Sequence, residues 1–213
     1  MEHDIRLEDI GWKVLLQRQI NLEKFTRQAI RRANDATGRV HLVDLALGAG
    51  RHLMETLRSM PELEIDAELR DADEANLEKG RQLANQMGLT KVRFAVGDAF
   101  DEHALRDFDP APNVVVAAGL FELTPDNNRV LSTLRGLTDG MQSGGFVVYT
   151  DQPRHPHLEM IGRVAVQREE SPWAMRRRPT EEMDELLADT GFTTIKRLVD
   201  EHGLFTVGLV QNA

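Results

Sequence analysis

Val43-Asp44-Leu45-Ala46-Leu47-Gly48-Ala49-Gly50 is the stretch that decides the fold of this chain. It follows the apolar run Val40-His41-Leu42, and a helical pattern begins at Arg51. A strand, a glycine-bearing turn and a helix in this order predict backbone N–H groups that can meet a nucleotide-like or carboxylate ligand. Gly48 and Gly50 suit this role because a side chain at either position would hold the ligand away from the backbone.

The composition limits the class of protein. A length of 213 residues with 41% hydrophobic residues is enough for one sizeable α/β domain. The net charge of −9 argues against a nucleic-acid binder. The absence of cysteine excludes disulfides, thiolate nucleophiles and cysteine-ligated zinc. Because the chain shows no signal-peptide core and no apolar run of membrane-spanning length, we expect a cytoplasmic protein without a membrane span.

Strand and helix patterns alternate along most of the chain. The predicted strands are 40–46, 65–71, 91–96, 113–118, 146–150, 193–199 and 204–210. The predicted helices cover 10–33 and 51–60, run from an Asp73 cap to Met87, and begin at Thr124-Pro125 and at a Thr180 cap. This alternation predicts a mostly parallel sheet with helices on both faces. The last two strands have a short connector and are therefore expected to be antiparallel.

Polar or small residues follow four of these strands, at the edge where such sheets bind ligands. The segments are the glycine turn, Asp71, Gly97-Asp98-Ala99 and Ala118-Gly119-Leu120-Phe121-Glu122. A carboxylate at 71 can accept both hydroxyls of a ribose, and one at 98 can accept a hydrogen bond from an exocyclic amine such as that of adenine. The ordered set predicts a nucleoside-type cofactor. NAD is the competing ligand, but Leu53 stands where its fingerprint requires a third glycine.

These motifs resemble those of class I S-adenosylmethionine-dependent methyltransferases over residues 40–210. The stretch 44–50 resembles the first motif, an acid followed by alternating small residues, and 71–77 resembles the second. The resemblance implies a Rossmann-like α/β fold, with a mostly parallel seven-stranded sheet, an antiparallel closing strand and an added N-terminal helix. We expect an N-terminal helical cap or lid over 1–36 and one methyltransferase domain over 37–213.

A narrower resemblance covers nearly the whole chain. Gly11-Trp12, Thr150-x-Gln152-Pro153-x-His155-Pro156 and Met175-Arg176-Arg177-Arg178 are similar to segments of a little-characterised bacterial methyltransferase family. Some members of this family are fused to an α/β-hydrolase domain. The resemblance says little about the substrate.

The wider resemblance implies roles for individual residues, with S-adenosyl-L-methionine as cofactor and S-adenosyl-L-homocysteine as product. The expected cofactor-binding residues are Asp44, Ala46, Gly48 and Gly50 at the methionine part, Asp71 at the ribose, Asp98 and Ala99 at the adenine, and Gly119 and Leu120 beside it. Leu47 occupies a position that is often small, and we expect it to crowd the methionine end.

Catalysis and substrate binding are assigned to the remaining polar residues near the strand ends. The candidates for proton removal are Glu122, His155 and Glu159, and no metal is expected. A run of arginines suits a phosphate or carboxylate, so the substrate is expected to be a small anionic molecule. The expected substrate-binding residues are Trp12, Arg18, Gln152, His157, Trp173, Arg176 and Arg178, several of them on a lid.

Other functions stay open on the sequence alone. The same fold can move another group, such as aminopropyl, or can bind a cofactor without catalysis, and an NAD oxidoreductase is a further alternative. Nucleic-acid methylation is disfavoured because the segment after the fourth strand lacks the Asx-Pro-Pro-aromatic sequence of amino-methylating DNA enzymes. A homodimer is compatible with the long N-terminal helix.

Overall fold

The computed structural model describes the backbone of residues 2–48, 50–154 and 177–213, and the side chains of these ranges from residue 13 onward. The described strands are β1 (Val40–Asp44), β2 (Ile65–Asp71), β3 (Val92–Val96), β4 (Val114–Ala117), β5 (Phe146–Asp151), β6 (Phe192–Val199) and β7 (Thr206–Asn212). The described helices are α1 (Glu2–Thr37), α2 (Arg51–Arg58), α3 (Glu74–Met87), α4 (Glu102–Arg106), α5 (Asn127–Gly140) and α6 (Thr180–Asp189).

The strands form one sheet in the order β3-β2-β1-β4-β5-β7-β6. Strands β1 to β5 are mutually parallel, and β7 runs antiparallel to both β5 and β6. The predicted mostly parallel α/β sheet with an antiparallel closing strand is confirmed. The strand order reverses between β1 and β4, which opens a crevice at their carboxyl ends.

Both faces of the sheet are covered by apolar clusters, because alternate residues of a strand point to opposite faces. Val114 and Val116 face a cluster that contains residues of α1, α2 and α3. Val115 and Ala117 face a second cluster that contains residues of α5 and α6. A strand buried on both sides needs a continuous apolar run, which is what β4 has.

The second half of α1 is part of the first cluster. Phe25, Ala29 and Ile30 are fully buried there, against strand residues of the sheet. The helix ends beyond the predicted Ala33 because Gly38 takes a left-handed conformation (φ 73°) and donates from its backbone N to the Asn34 carbonyl. The separate cap over residues 1–36 stays a prediction. No helix of the described residues combines the length and apolarity needed to cross a membrane.

Two predicted helix starts are wrong, that of α5 by two residues and that of α6 by one. Helix α5 begins at Asn127, because the Asp126 carboxylate accepts from Asn128 N, whereas the Thr124 hydroxyl donates to the Leu120 carbonyl. Helix α6 has Pro179 as its N-cap, so that Thr180 is its first helical residue. Helix α4 was not predicted, because five residues are too few to show a helical period.

Helix α4 packs closely on α5, and this crossing explains the glycines of α5. A Cβ at Gly140 would overlap the Leu105 carbonyl oxygen, and one at Gly136 would lie 2.7 Å from Leu105 Cβ. Both positions therefore require glycine although alanine is the better helix former.

We expect Gly140→Ala to lower the free energy of unfolding by about 2 kcal/mol, since overpacking a close crossing outweighs the gain in helix propensity. Arg135→Ala, at an exposed position of the same helix, is the control and should change it by less than about 0.5 kcal/mol. Urea unfolding of the two variants measures the difference, and equal stabilities would refute the crossing as the cause.

Candidate functional site

The carboxyl ends of β1 and β4 face an open cleft beneath the N-terminal helix. The cleft has a volume of about 840 Å³, part of it open to solvent. Its lining comes from α1, from the glycine turn, from the first turn of α2 and from the end of β4: Leu15, Arg18, Gln19, Leu22, Ala46, Leu47, Gly48, Gly50, His52 and Ala118. The structure therefore brings the predicted Ala46, Gly48, Gly50 and Arg18 together.

The glycine turn has the backbone that its sequence predicts. Gly48 and Gly50 have φ angles of 52° and 63°, which side-chain-bearing residues rarely adopt. A Cβ at Gly50 would overlap the side chain of Leu47, which also lies 2.8 Å from the position of a Cβ on Gly80. Leu47 is 2% exposed and belongs to the apolar cluster below the turn. The leucine side chain fills the space beside Gly50 and Gly80, and the residue also lines the cleft, so the expected crowding of the methionine end stays a prediction.

Asp44 ends β1 as a buried acid to which no cation of the described residues is paired. Its Oδ1 accepts from Ala46 N at 3.2 Å, and its Oδ2 is buried with no hydrogen-bond partner among the described residues. Burial, opposed by the hydrogen bond from the Ala46 N–H and assisted by the nearby charge of Asp71, raises the pKa of Asp44 to about 7. An unpaired buried carboxylate oxygen costs free energy unless a donor or cation reaches it. The position therefore fits a ligand ammonium.

Asp71 and Asp98 end or follow the two neighbouring strands. Asp71 is half-buried; its Oδ2 accepts from Gly48 N at 2.8 Å, and its Oδ1 accepts from Asp73 N at 2.9 Å. These bonds fix the carboxylate against the glycine turn. Asp98 is exposed, and its Oδ1 accepts from Phe100 N at 2.9 Å. Both carboxylates lie at the ligand-binding edge, as predicted from their strands.

The loop after β4 is held by β5. Gly119 has a φ of 71°, and its N–H donates to the Thr150 hydroxyl at 2.8 Å. Leu120 and Ala99 are each 8% exposed, and both belong to the apolar cluster on the α5 face. The structure thus places Gly119 beside the cleft through its backbone, whereas most of the Leu120 side chain packs in the core.

Arg18 fastens α1 to the ends of β4 and β5. Its Nη2 donates to Glu122 Oε1 at 2.7 Å and to the Thr150 hydroxyl at 3.2 Å, and the Thr150 hydroxyl itself donates to Glu122 at 2.9 Å. Its guanidinium also lies over the Phe205 ring, 5.1 Å from the ring centre. Glu122 is 3% exposed, so this ion pair is shielded from solvent on the carboxylate side. Neither the pair nor Thr150 was predicted from the sequence.

The position of Arg178 in the structure does not match its predicted role as a substrate-binding residue. It is fully buried, its Nη1 donates to the Phe121 carbonyl at 2.9 Å, and its Nη2 donates to the Thr124 carbonyl at 2.8 Å. Asp151 lies 3.6 Å from the same guanidinium, and burial raises the pKa of Asp151 to about 7. A guanidinium enclosed by protein acceptors supports the loop after β4 rather than reaching a ligand.

Several predicted residues lie outside the described part of the chain: His155, His157, Glu159, Trp173, Arg176 and the side chain of Trp12. Gln152 is described, follows β5 directly and is 3% exposed. The catalytic and substrate roles of these residues stay predictions.

His52 is a cleft residue that sequence reasoning missed. It is the second residue of α2, its Nε2 is buried, and this atom has no hydrogen-bond partner among the described residues. Burial lowers its pKa to about 4, helped by the charge of Arg18 and opposed by Glu55. The signal was its place two residues after Gly50, in the first turn of the helix that follows the glycine turn.

The two neighbouring arginines 177 and 178 provide a matched test of the buried network. Arg178→Ala should lower the free energy of unfolding by about 3–5 kcal/mol, because removing one partner leaves a buried carboxyl and two carbonyls without donors. Arg177 is exposed, so Arg177→Ala should change it by less than about 0.5 kcal/mol. Urea unfolding at neutral pH distinguishes them, and similar values for both variants would contradict the structural role.

Asp44→Asn should stabilise the ligand-free protein by roughly 1–3 kcal/mol at pH 8. The pKa of Asp44 is about 7 in the fold and 3.8 in a solvated aspartate, so its ionisation penalises folding increasingly as the pH rises from about 4 to about 7. The gain should therefore be smaller at pH 5 than at pH 8. Urea unfolding at the two pH values measures it.

Asp66→Asn is the control for this measurement. Asp66 lies near the start of β2, and the Arg39 hydrogen bond lowers its pKa, so the substitution should bring no gain at pH 8. A gain at Asp66 equal to that at Asp44, or no gain at Asp44, would refute the assignment of an unpaired buried charge to Asp44.

Together, the strand order, the antiparallel β7 and the acids that follow β1, β2 and β3 define the class I methyltransferase fold. The chain belongs to the family described as "Putative methyltransferase", whose model matches residues 2–212. It is 38% identical over 207 residues to the uncharacterized protein YnbC of Escherichia coli (strain K12). That match covers 96% of this chain and 35% of YnbC, so the chain spans about a third of its curated relative.

Solved structures share the fold at low sequence identity. An O-methyltransferase family protein from Burkholderia thailandensis has a TM-score of 0.70 at 14% identity, over 100% of this chain and 61% of its own. Magnesium protoporphyrin IX methyltransferase from Synechocystis PCC 6803, solved with bound SAH, has a TM-score of 0.70 at 10% identity. The match covers 96% of this chain and 87% of the Synechocystis chain. At these identities the likeness supports the architecture alone.

Proposed function

We propose that this protein transfers a methyl group from S-adenosylmethionine to a small, anion-bearing molecule. The observation that carries the proposal is the buried Oδ2 of Asp44 at the end of β1, which has no hydrogen-bond partner in the described part of the chain. It lies two residues before Ala46, which lines the cleft, and the backbone of Gly48 in the same turn bonds to Asp71. The Asp44 oxygen can accept a hydrogen bond from the amine of this cofactor, and the nearby Asp71 carboxylate can accept the hydroxyls of its ribose.

Each of three parts of the cofactor, the amine, the ribose and the adenine, has a candidate partner in the chain. Asp44 would accept the ammonium, Asp71 the ribose hydroxyls, and Asp98 the adenine amine. S-adenosylmethionine, when bound, supplies a methyl group that its sulfonium already makes electrophilic. The protein then has to orient an acceptor in line with that methyl group and exclude water. Family membership and the fold of the SAH-bound Synechocystis enzyme support this assignment.

An acceptor that carries a proton requires a base at the strand ends. Glu122 is near the end of β4, but Arg18 and the Thr150 hydroxyl already bond to its carboxylate. In this proposal Glu122 therefore holds α1 and the β4 loop in position. Proton removal is assigned to His155 or Glu159, which follow β5 in the sequence.

An anionic acceptor is suggested by the arginines on either side of the segment between β5 and α6. Arg154 and Arg177 are both exposed, and Arg176 directly precedes the second of them. Arginine binds carboxylate and phosphate through paired N–H groups. These residues replace Arg178 in the proposed anion site, since Arg178 is enclosed in the fold.

Calorimetric titration with S-adenosylmethionine, S-adenosylhomocysteine and NAD tests the cofactor assignment. We expect micromolar binding of the first two and none of NAD. Binding of NAD alone would overturn the proposal in favour of an oxidoreductase. Mass analysis of products from a screen of carboxylates and phosphates, run with S-adenosylmethionine and separately with its decarboxylated form, then tests the transfer. A gain of one methyl group from S-adenosylmethionine supports it, and a gain of aminopropyl from the decarboxylated form alone contradicts it.

Asp71→Asn should weaken S-adenosylhomocysteine binding by roughly 10- to 100-fold, since hydrogen bonds to a charged group contribute about 1.5–3 kcal/mol. Asp66→Asn is the matched control on the same strand, at the end away from the cleft, and should bind within about twofold of the parent chain. An unchanged affinity in Asp71→Asn would remove Asp71 from the ribose site.

A further inference from the structure

Two residues that line the cleft each have a buried nitrogen atom without a hydrogen-bond partner among the described residues. Arg18 Nε and His52 Nε2 both lack a hydrogen-bond partner among the described residues, and both residues line the same cleft. They belong to different elements, α1 and α2, which the fold brings together over the glycine turn. Buried donors without acceptors are uncommon in folded proteins, because each one costs desolvation free energy. Two of them in one cleft indicate a ligand with acceptor oxygens.

The local charge specifies an anion. Arg18 is permanently charged, and its positive charge contributes to the lowered pKa of His52, whose imidazole is therefore neutral at pH 7. The neutral ring can donate one N–H, and the guanidinium adds N–H groups with a full positive charge. A carboxylate with two acceptor oxygens suits this pair of donors.

The neighbouring Asp44 indicates which carboxylate this is. Asp44 ends β1 with a carboxylate oxygen that has no partner among the described residues, two positions before Ala46, which lines the same cleft as Arg18 and His52. An acid at the end of β1, together with a cation and a neutral N–H donor on the cleft, matches an α-amino acid zwitterion. We propose that Arg18 and His52 bind the carboxylate of the amino-acid part of the cofactor, with Asp44 at its amine. This inference rests on the proposed function and moves Arg18 from the substrate to the cofactor.

The guanidinium is already held in position for this contact. Glu122 and Thr150 accept from its Nη2, and the Phe205 ring covers one face. These contacts leave Nε for the ligand. A side chain whose orientation is fixed before binding loses little conformational freedom when the ligand arrives.

The test compares two ligands that differ in the amino-acid part. Calorimetry measures binding of S-adenosylhomocysteine and of 5′-methylthioadenosine, which has the nucleoside but no carboxylate. Arg18→Lys keeps a charge for Glu122 and removes the Nε donor, and His52→Ala removes the imidazole. Each variant should bind S-adenosylhomocysteine about tenfold or more weakly and 5′-methylthioadenosine within about twofold of the parent chain. Lys24→Ala, at an exposed position further along helix α1, should change neither.

The outcomes separate this inference from the function on which it rests. If the parent chain binds S-adenosylhomocysteine and both variants bind it equally well, the carboxylate site is overturned and the cofactor assignment stands. If a variant loses both ligands to the same extent, its residue acts on the fold and the site is again overturned. If the parent chain binds neither ligand, the proposed function fails, and the carboxylate site fails with it.

Discussion

Between β1 and β4 the chain changes the direction in which it adds strands, so the loops leaving these two strands diverge and leave a crevice. Backbone N–H groups and short side chains at their carboxyl ends are then free to meet a ligand. Asp44 and Gly119 are near that crevice because one ends β1 and the other follows β4. The antiparallel β7 adds the outer support, since it pairs with β5 over the full strand and so fixes Thr150 behind Gly119.

Asp44 and Asp151, two buried acids at this edge of the sheet, have similarly raised pKa values but differ in whether a cation lies beside them. Asp44 and Asp151 both titrate near pH 7 because burial disfavours their charge. Asp151 points to the α6 face, where the Arg178 guanidinium is 3.6 Å away, and the fold thus supplies its cation. Asp44 points to the α1 face and has no such partner among the described residues. A charge left without a partner lowers stability, and functional sites are where proteins retain such a cost.

The sequence predicted the sheet well because strand periodicity and buried apolar runs are local signals. It also located the glycine turn and the acids at 44, 71 and 98, since each lies at the end of a strand or within two residues of it. It misjudged Arg178, because three consecutive arginines look alike in sequence, whereas only the fold encloses one of them. His52 and the Arg18–Glu122 pair depend on contacts between elements distant along the chain, and periodicity carries no information about such contacts.

The planar guanidinium of Arg18 connects the ends of β4 and β5 with the cleft that the glycine turn lines. Its Nη2 bonds to Glu122 and Thr150 at the ends of β4 and β5, and its Nε lies unpaired by the cleft that the glycine turn lines. A lysine ammonium could hold the carboxylate of Glu122 but has no second, rigidly oriented donor for a ligand. The position of α1 and the charge of the cleft are therefore set by the same guanidinium. If the cofactor carboxylate binds at Nε as proposed, it adds a second acceptor to the contact that fastens α1, and ligand binding and the packing of this helix would then stabilise each other.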